Sequence, residues 1–125
     1  MSDRSMDIIL VEDDASLRQA MQRMLQAAGY VVTTCESAEA LLQIGIDQAS
    51  QCDCLLLDIC LPGISGLDLC RTLLASGPCP PCILITGHDA LGLRDVVIRT
   101  GARGFLLKPF TGTALLDAIK RVVAA

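Results

Sequence analysis

Leu55-Leu56-Leu57-Asp58-Ile59-Cys60-Leu61-Pro62-Gly63 opens with three unbroken leucines and closes on a proline–glycine pair. An apolar run without alternation reads as a strand buried on both faces. Pro62-Gly63 reads as the loop that ends it. Asp58 then stands at the C-terminal end of the strand, on the edge where open α/β sheets bind their ligands. A carboxylate there can be a nucleophile, a metal ligand or merely a turn cap. The chemistry that other strands bring to the same edge decides among these.

Working outward, apolar runs of strand length recur at 8–11, 30–34, 54–57, 82–85 and 104–107. Helix-period segments lie between them. Leu17, Met21, Met24, Leu25 and Ala28 fall at helical spacing and Gly29 follows as a stop. Ser37 precedes Ala38, Leu41 and Leu42 as the N-cap of a second helix. Leu67, Leu69, Leu73 and Leu74 mark a third; Val96, Val97 and Arg99 mark a shorter fourth, weakened by Gly92 and stopped near Gly101. Thr111 or Thr113 should cap the last, with Leu115, Ile119, Val122 and Val123 inward. Strands alternating with helices predict an α/β fold: a doubly wound, five-stranded parallel sheet, (βα)5, with helices on both faces.

The composition narrows the function. A chain of 125 residues has room for one core, so a single domain over 1–125 is expected. A net charge of −4 without a Lys/Arg block argues against direct nucleic-acid binding, and three aromatics are too few for base stacking. No apolar run is long enough to span a bilayer, and the start of the chain does not read as a signal peptide. Seven cysteines, an odd number, then point to reduced thiols in the cytoplasm.

In a parallel sheet all strand C-termini share one edge. Glu12, Asp13 and Asp14 follow the first strand, Asp58 the third, Thr86-Gly87-His88 the fourth and Lys108-Pro109 the fifth. So many acids would repel one another unless a cation sat among them. Hard oxygen ligands suit Mg2+, which keeps several waters and borrows phosphate oxygens. Lys108, one of only two lysines, adds a flexible point charge. The combination favours approach of a phosphoryl group to Asp58, because phosphoryl transfer needs mainly positioning and charge neutralisation.

These motifs together carry a family resemblance. Leu10-Val11-Glu12-Asp13-Asp14, Leu57-Asp58 followed by Leu61-Pro62-Gly63 and Gly66, Ile85-Thr86-Gly87-His88 and Leu107-Lys108-Pro109-Phe110 occur in order over essentially the whole chain. The sequence resembles a response-regulator receiver (CheY-like) domain. Ser37-Ala38-Glu39-Ala40 and Thr86-Gly87-His88 are closest in flavour to receivers of FixJ/NarL-type transcription regulators. The resemblance implies the sheet order 2-1-3-4-5. It implies that Asp58 is the phosphoacceptor and that Glu12 and Asp13 hold Mg2+, directly or through water, with Asp58 and the backbone carbonyl of Cys60. Glu12 stands where the family more commonly has Asp. Thr86 and Lys108 would contact phosphoryl oxygens, Phe105 matches the aromatic switch position, and Lys108-Pro109 would be a cis peptide. A sensor histidine kinase would be the phosphoryl donor. The face of the fourth helix, fifth strand and last helix would signal to a DNA-binding output domain or downstream protein, or form a homodimer. His88 and Cys60 would flank the phosphoryl group and tune its lifetime, which dephosphorylation rates of His88→Ala and Cys60→Ala variants measure.

Plainer readings stand beside these. Glu12, Asp13 and above all Asp14 suit a capped first helical turn, and Phe105 beside the last strand suits the core. An alternative function is a thiol redox or zinc-binding domain built from Cys52, Cys54, Cys79 and Cys82, which neighbouring strands would gather at the edge opposite Asp58. Against redox catalysis, Cys79-Pro80-Pro81-Cys82 runs into a strand and not a helix N-terminus. A dehalogenase-type phosphatase would need a second Asp where Cys60 stands.

Overall fold

The computed structural model describes residues 5–87 and 93–124. Five strands, β1 (Asp7–Val11), β2 (Val31–Cys35), β3 (Cys54–Asp58), β4 (Cys82–Thr86) and β5 (Gly104–Leu107), form one sheet in the order β2-β1-β3-β4-β5. Every neighbouring pair is parallel. The helices are α1 (Ala15–Ala27), α2 (Ala38–Ile44), α3 (Ile46–Ala49), α4 (Gly66–Ala75), α5 (Leu93–Thr100) and α6 (Gly112–Ala124). None among the described residues is long and apolar enough to cross a membrane.

The interior strands explain the architecture. All five residues of β3 and of β4 are buried, whereas edge strand β2 alternates between exposed and partly buried positions until it ends on buried Cys35. Successive side chains point to opposite faces, so one run feeds two cores. Ile9, Val11, Leu55, Leu57 and Leu84 pack on one face against Leu41 of α2, Leu69 and Leu73 of α4, and Val97 of α5. Ile8, Leu10, Leu56, Ile83 and Ile85 pack on the other against Met21 and Leu25 of α1 and Leu115, Ile119 and Val122 of α6. Each such side chain contributes roughly 1.5–3 kcal/mol by leaving water. Two apolar layers therefore hold the strand ends at a common rim.

The structure corrects the sequence reading at several boundaries. Six helices are present among the described residues instead of five, because Gly45, at φ +111°, ends α2 and a single further turn, α3, precedes β3. The second strand runs from Val31 to Cys35, one residue later than expected. Tyr30 N–H still donates to the Leu25 carbonyl of α1 at 3.1 Å, and the ladder begins when Val31 N–H donates to Met6 O at 2.9 Å. The third and fourth strands each extend one residue further, taking in Asp58 and Thr86. The caps follow the sequence: Asp14 and Ser37 close the starts of α1 and α2, and Thr111 Oγ1 accepts from Ala114 N–H. Gly29 (φ +96°) and Gly101 (φ +86°) follow α1 and α5 in the left-handed conformation that favours glycine.

Candidate functional site

Four strand ends meet at one rim. Glu12 follows β1 directly and is fully buried, while Asp13 beside it is exposed. Asp58, 2% exposed, is the last residue of β3, and Thr86, 4% exposed, is the last of β4. Lys108 follows β5, its backbone N–H donating to Thr86 O at 2.7 Å, and the Lys108-Pro109 peptide is cis, as expected. Phe105 faces Leu84 in the ladder and is partly buried against the core shared with α2, α4 and α5.

The charged atoms converge. Lys108 Nζ lies 3.0 Å from Glu12 Oε1 and 3.1 Å from Asp58 Oδ2. Asp58 Oδ1 accepts a hydrogen bond from Cys60 N–H at 3.0 Å, and Glu12 Oε2 accepts one from Asp14 N–H at 3.1 Å. Glu12, Asp13 and Asp58 each offer a carboxylate oxygen, all within 4.8 Å of one another. Burial, then a hydrogen bond with Asp58, raises the Glu12 carboxyl from 4.5 to about 7. For Lys108, burial pulls the ammonium down, but Glu12 and Asp58 outweigh it and the net shift is upward.

The donor set suits a hard divalent cation. Three carboxylates face one ammonium, so two further positive charges would complete neutrality. Glu12 Oε1 is fully buried without a hydrogen bond of good geometry, although Lys108 stands close enough to pair with it. A buried carboxylate oxygen in that condition is costly, and a cation would relieve it.

Backbone contacts hold these groups in place. Gly66 opens α4 directly against β3: its N–H donates to Ile59 O at 3.1 Å, and a Cβ there would overlap the Asp58 carbonyl. Two supporting residues were not legible as such in the sequence. Arg18 of α1 reaches back to donate to Glu12 O at 2.8 Å. Glu39 of α2 accepts from Ile64 N–H at 3.2 Å, fastening the loop after Asp58 where Gly63 leaves room for its carboxylate. The only prior signals were a basic residue one turn into α1 and an acid in the first turn of α2. His88 lies outside the described residues; Cys60, its expected companion, is exposed.

The four cysteines singled out for zinc do not form a site. Cys54 points into the α1/α6 core, whereas Cys52 and Cys82 belong to the opposite one. Strand alternation thus separates the set, and among the described residues the acid cluster is the only group with metal-binding spacing.

Comparison with known proteins decides the family. The response regulator receiver domain family matches residues 8–120. The chain belongs to that family. Among curated relatives of this receiver domain, the C4-dicarboxylate transport transcriptional regulatory protein DctD of Rhizobium meliloti is 39% identical over 115 residues, covering 91% of this chain and 24% of DctD. The transcriptional regulatory protein FixJ of Azorhizobium caulinodans is 34% identical, covering 93% of the chain and 54% of FixJ. The receiver domain therefore spans about a quarter to a half of these relatives. Among solved structures, the Vibrio cholerae chemotaxis protein CheY4 superposes with a TM-score of 0.86 at 26% identity, covering 95% of this chain and 99% of CheY4. The expected fold, with its 2-1-3-4-5 sheet, is borne out.

Proposed function

We propose that this receiver domain, spanning 1–125, accepts a phosphoryl group on Asp58 from a phosphohistidine of a sensor kinase and so switches an output. The observation that carries the reading is the Lys108 ammonium bridging Asp58 and Glu12 at 3.1 and 3.0 Å within a cluster of three carboxylates. An Asp58 carboxylate oxygen attacks phosphorus; the new O–P bond forms as the N–P bond to the donor imidazole breaks. Glu12, Asp13, Asp58 and the Cys60 carbonyl would hold Mg2+, which supplies charge for the incoming phosphoryl oxygens. Lys108 pairs with one phosphoryl oxygen and the Thr86 hydroxyl with another. Glu39 and Gly66 keep the loop and helix after Asp58 fixed while this happens.

Engagement of Thr86 and Lys108 favours one arrangement of α5 and β5, with Phe105 following it, and the α5–β5–α6 face presents the change. Leu107 on β5, 36% exposed, gives that face an apolar contact for a second copy or a partner. The names of the relatives describe transcriptional regulators, so the proposed output is transcription control through a DNA-binding domain or downstream protein. The proposed compartment is the cytoplasm.

Beryllofluoride with Mg2+, a mimic of the aspartyl phosphate, tests the assignment. The wild type should bind it only with Mg2+, and Asp58→Ala should lose binding. The loaded protein should sediment as a dimer if the α5–β5–α6 face self-associates. Binding that is independent of Asp58 or of Mg2+ would remove the reading.

A further inference from the structure

Three of the seven cysteines form a group remote from Asp58. Cys70 lies in α4, Cys79 in the loop after it, and Cys82 is the first residue of β4. Because β4 runs parallel to β3, Cys82 sits at the sheet edge opposite the one carrying Asp58 and Thr86. Cys79 Sγ and Cys82 Sγ are 3.9 Å apart, and Cys82 Sγ also approaches Pro80 O at 3.6 Å. The Pro80-Pro81 link thus brings the two thiols to one spot. Cys79 is partly exposed whereas Cys70 and Cys82 are buried, so a small solute meets Cys79 first.

The hydrogen bonding assigns different roles to the two thiols. Hydrogen bonding with Cys82 holds the thiols of both Cys79 and Cys70 below their ordinary range, with burial opposing, and of these two only Cys79 is partly exposed. Cys82 is pushed up by its hydrogen bonds to Cys70 and Cys79 and by burial, so it keeps its proton. Cys52 and Cys54, pushed up to about 12 by burial, offer no such thiolate. The thiolate is the reactive form, and a partly exposed thiol with a second thiol alongside suits reversible oxidation.

We propose that Cys79 and Cys82 form a peroxide-reactive dithiol site in which Cys79 is oxidised and Cys82 closes a disulfide upon it. The Cys79 thiolate attacks one oxygen of a hydroperoxide; an S–O bond forms, the O–O bond breaks, and the leaving oxygen takes a proton. The Cys82 sulfur then attacks Cys79 sulfur; an S–S bond forms, the S–O bond breaks, and the hydroxyl departs as water with the Cys82 proton. Two electrons pass from the thiol pair to the peroxide. The sulfurs must close from 3.9 Å to about 2 Å, at the start of β4 and so at the opposite end of the sheet from Asp58.

Timed oxidation of the reduced full chain by hydrogen peroxide, quenched with iodoacetamide and digested with trypsin, tests the site. Cleavage after Arg71 and Arg94 leaves Cys79 and Cys82 in one peptide and the other five cysteines in another. The expected result is a peptide 72–94 lighter by two hydrogens, protected from alkylation, forming several-fold faster than Cys60 is oxidised. In Cys82→Ala, Cys79 should instead be captured by dimedone as the sulfenic acid. A peptide 72–94 that stays at its reduced mass while Cys60 reacts would overturn the proposal. So would a linkage joining the two peptides through Cys70.

Discussion

Buried beside Asp58, the Glu12 carboxyl holds its proton more tightly in the folded chain than in the unfolded one. Its value rises from 4.5 to about 7, so the folded state binds more protons between those limits. The stability this contributes is fully present below about 4.5 and is lost as pH rises through about 7. In metal-free protein, the wild type should therefore lose roughly 1–3 kcal/mol relative to Glu12→Gln between about pH 5 and about pH 8. Urea unfolding at both values measures it, and parallel profiles for the two proteins would sink the account. Lys108, raised by the same neighbours, stays charged throughout that window. Asp58, Glu12, Asp13, Thr86 and Lys108 were legible in the sequence because chain order alone places them at strand ends. Arg18 and Glu39 were not. The Glu39–Ile64 contact joins residues 25 apart in sequence, and only the packing of α2 beside the β3–α4 loop creates it.

Among the elements, α6 depends on its start. Thr111 Oγ1 accepts from Ala114 N–H of its first turn at 3.0 Å. Thr111→Ala should cost about 1 kcal/mol, since an alanine leaves that N–H without the cap. A lowered urea midpoint with an unchanged slope is the expected result; an unchanged midpoint would assign the turn's stability to packing alone. The strands of the sheet interior were readable because β3 and β4 are apolar without interruption. The short helix α3 was not, because four residues carry no helical period and only Gly45 announces it. The β2 boundary slipped for a related reason: Tyr30 has a strand former's side chain but spends its N–H on the end of α1.

For the molecule as a whole, the two apolar layers share the strands, so a loss in one strand is felt throughout the sheet. Leu56 is fully buried between α1 and α6. Leu56→Ala should cost about 2–5 kcal/mol, a large part of the roughly 5–15 kcal/mol that stabilises a domain of this kind. Chemical denaturation decides it, and a change below about 1 kcal/mol would mean the cavity had collapsed. The alternation of strands and helices made the parallel sheet legible, but its order came from family resemblance, since hydrophobic period carries no information about which strands adjoin. The same limit misdirected the cysteine reading. Residue spacing suggested four thiols together, while strand alternation turned Cys54 away and a helix brought Cys70 in.

The missing side chain at Gly66 turns a hydrogen atom's width of space into the gauge that sets α4 against the end of β3. A methyl group there would work as a shim: it would lift the helix from the Asp58 main chain without altering any ionisable group at the rim. Position 66 thus offers a mechanical adjustment of the site that is separate from its charge, a means of asking how much of the proposed switch is spacing and how much is electrostatics.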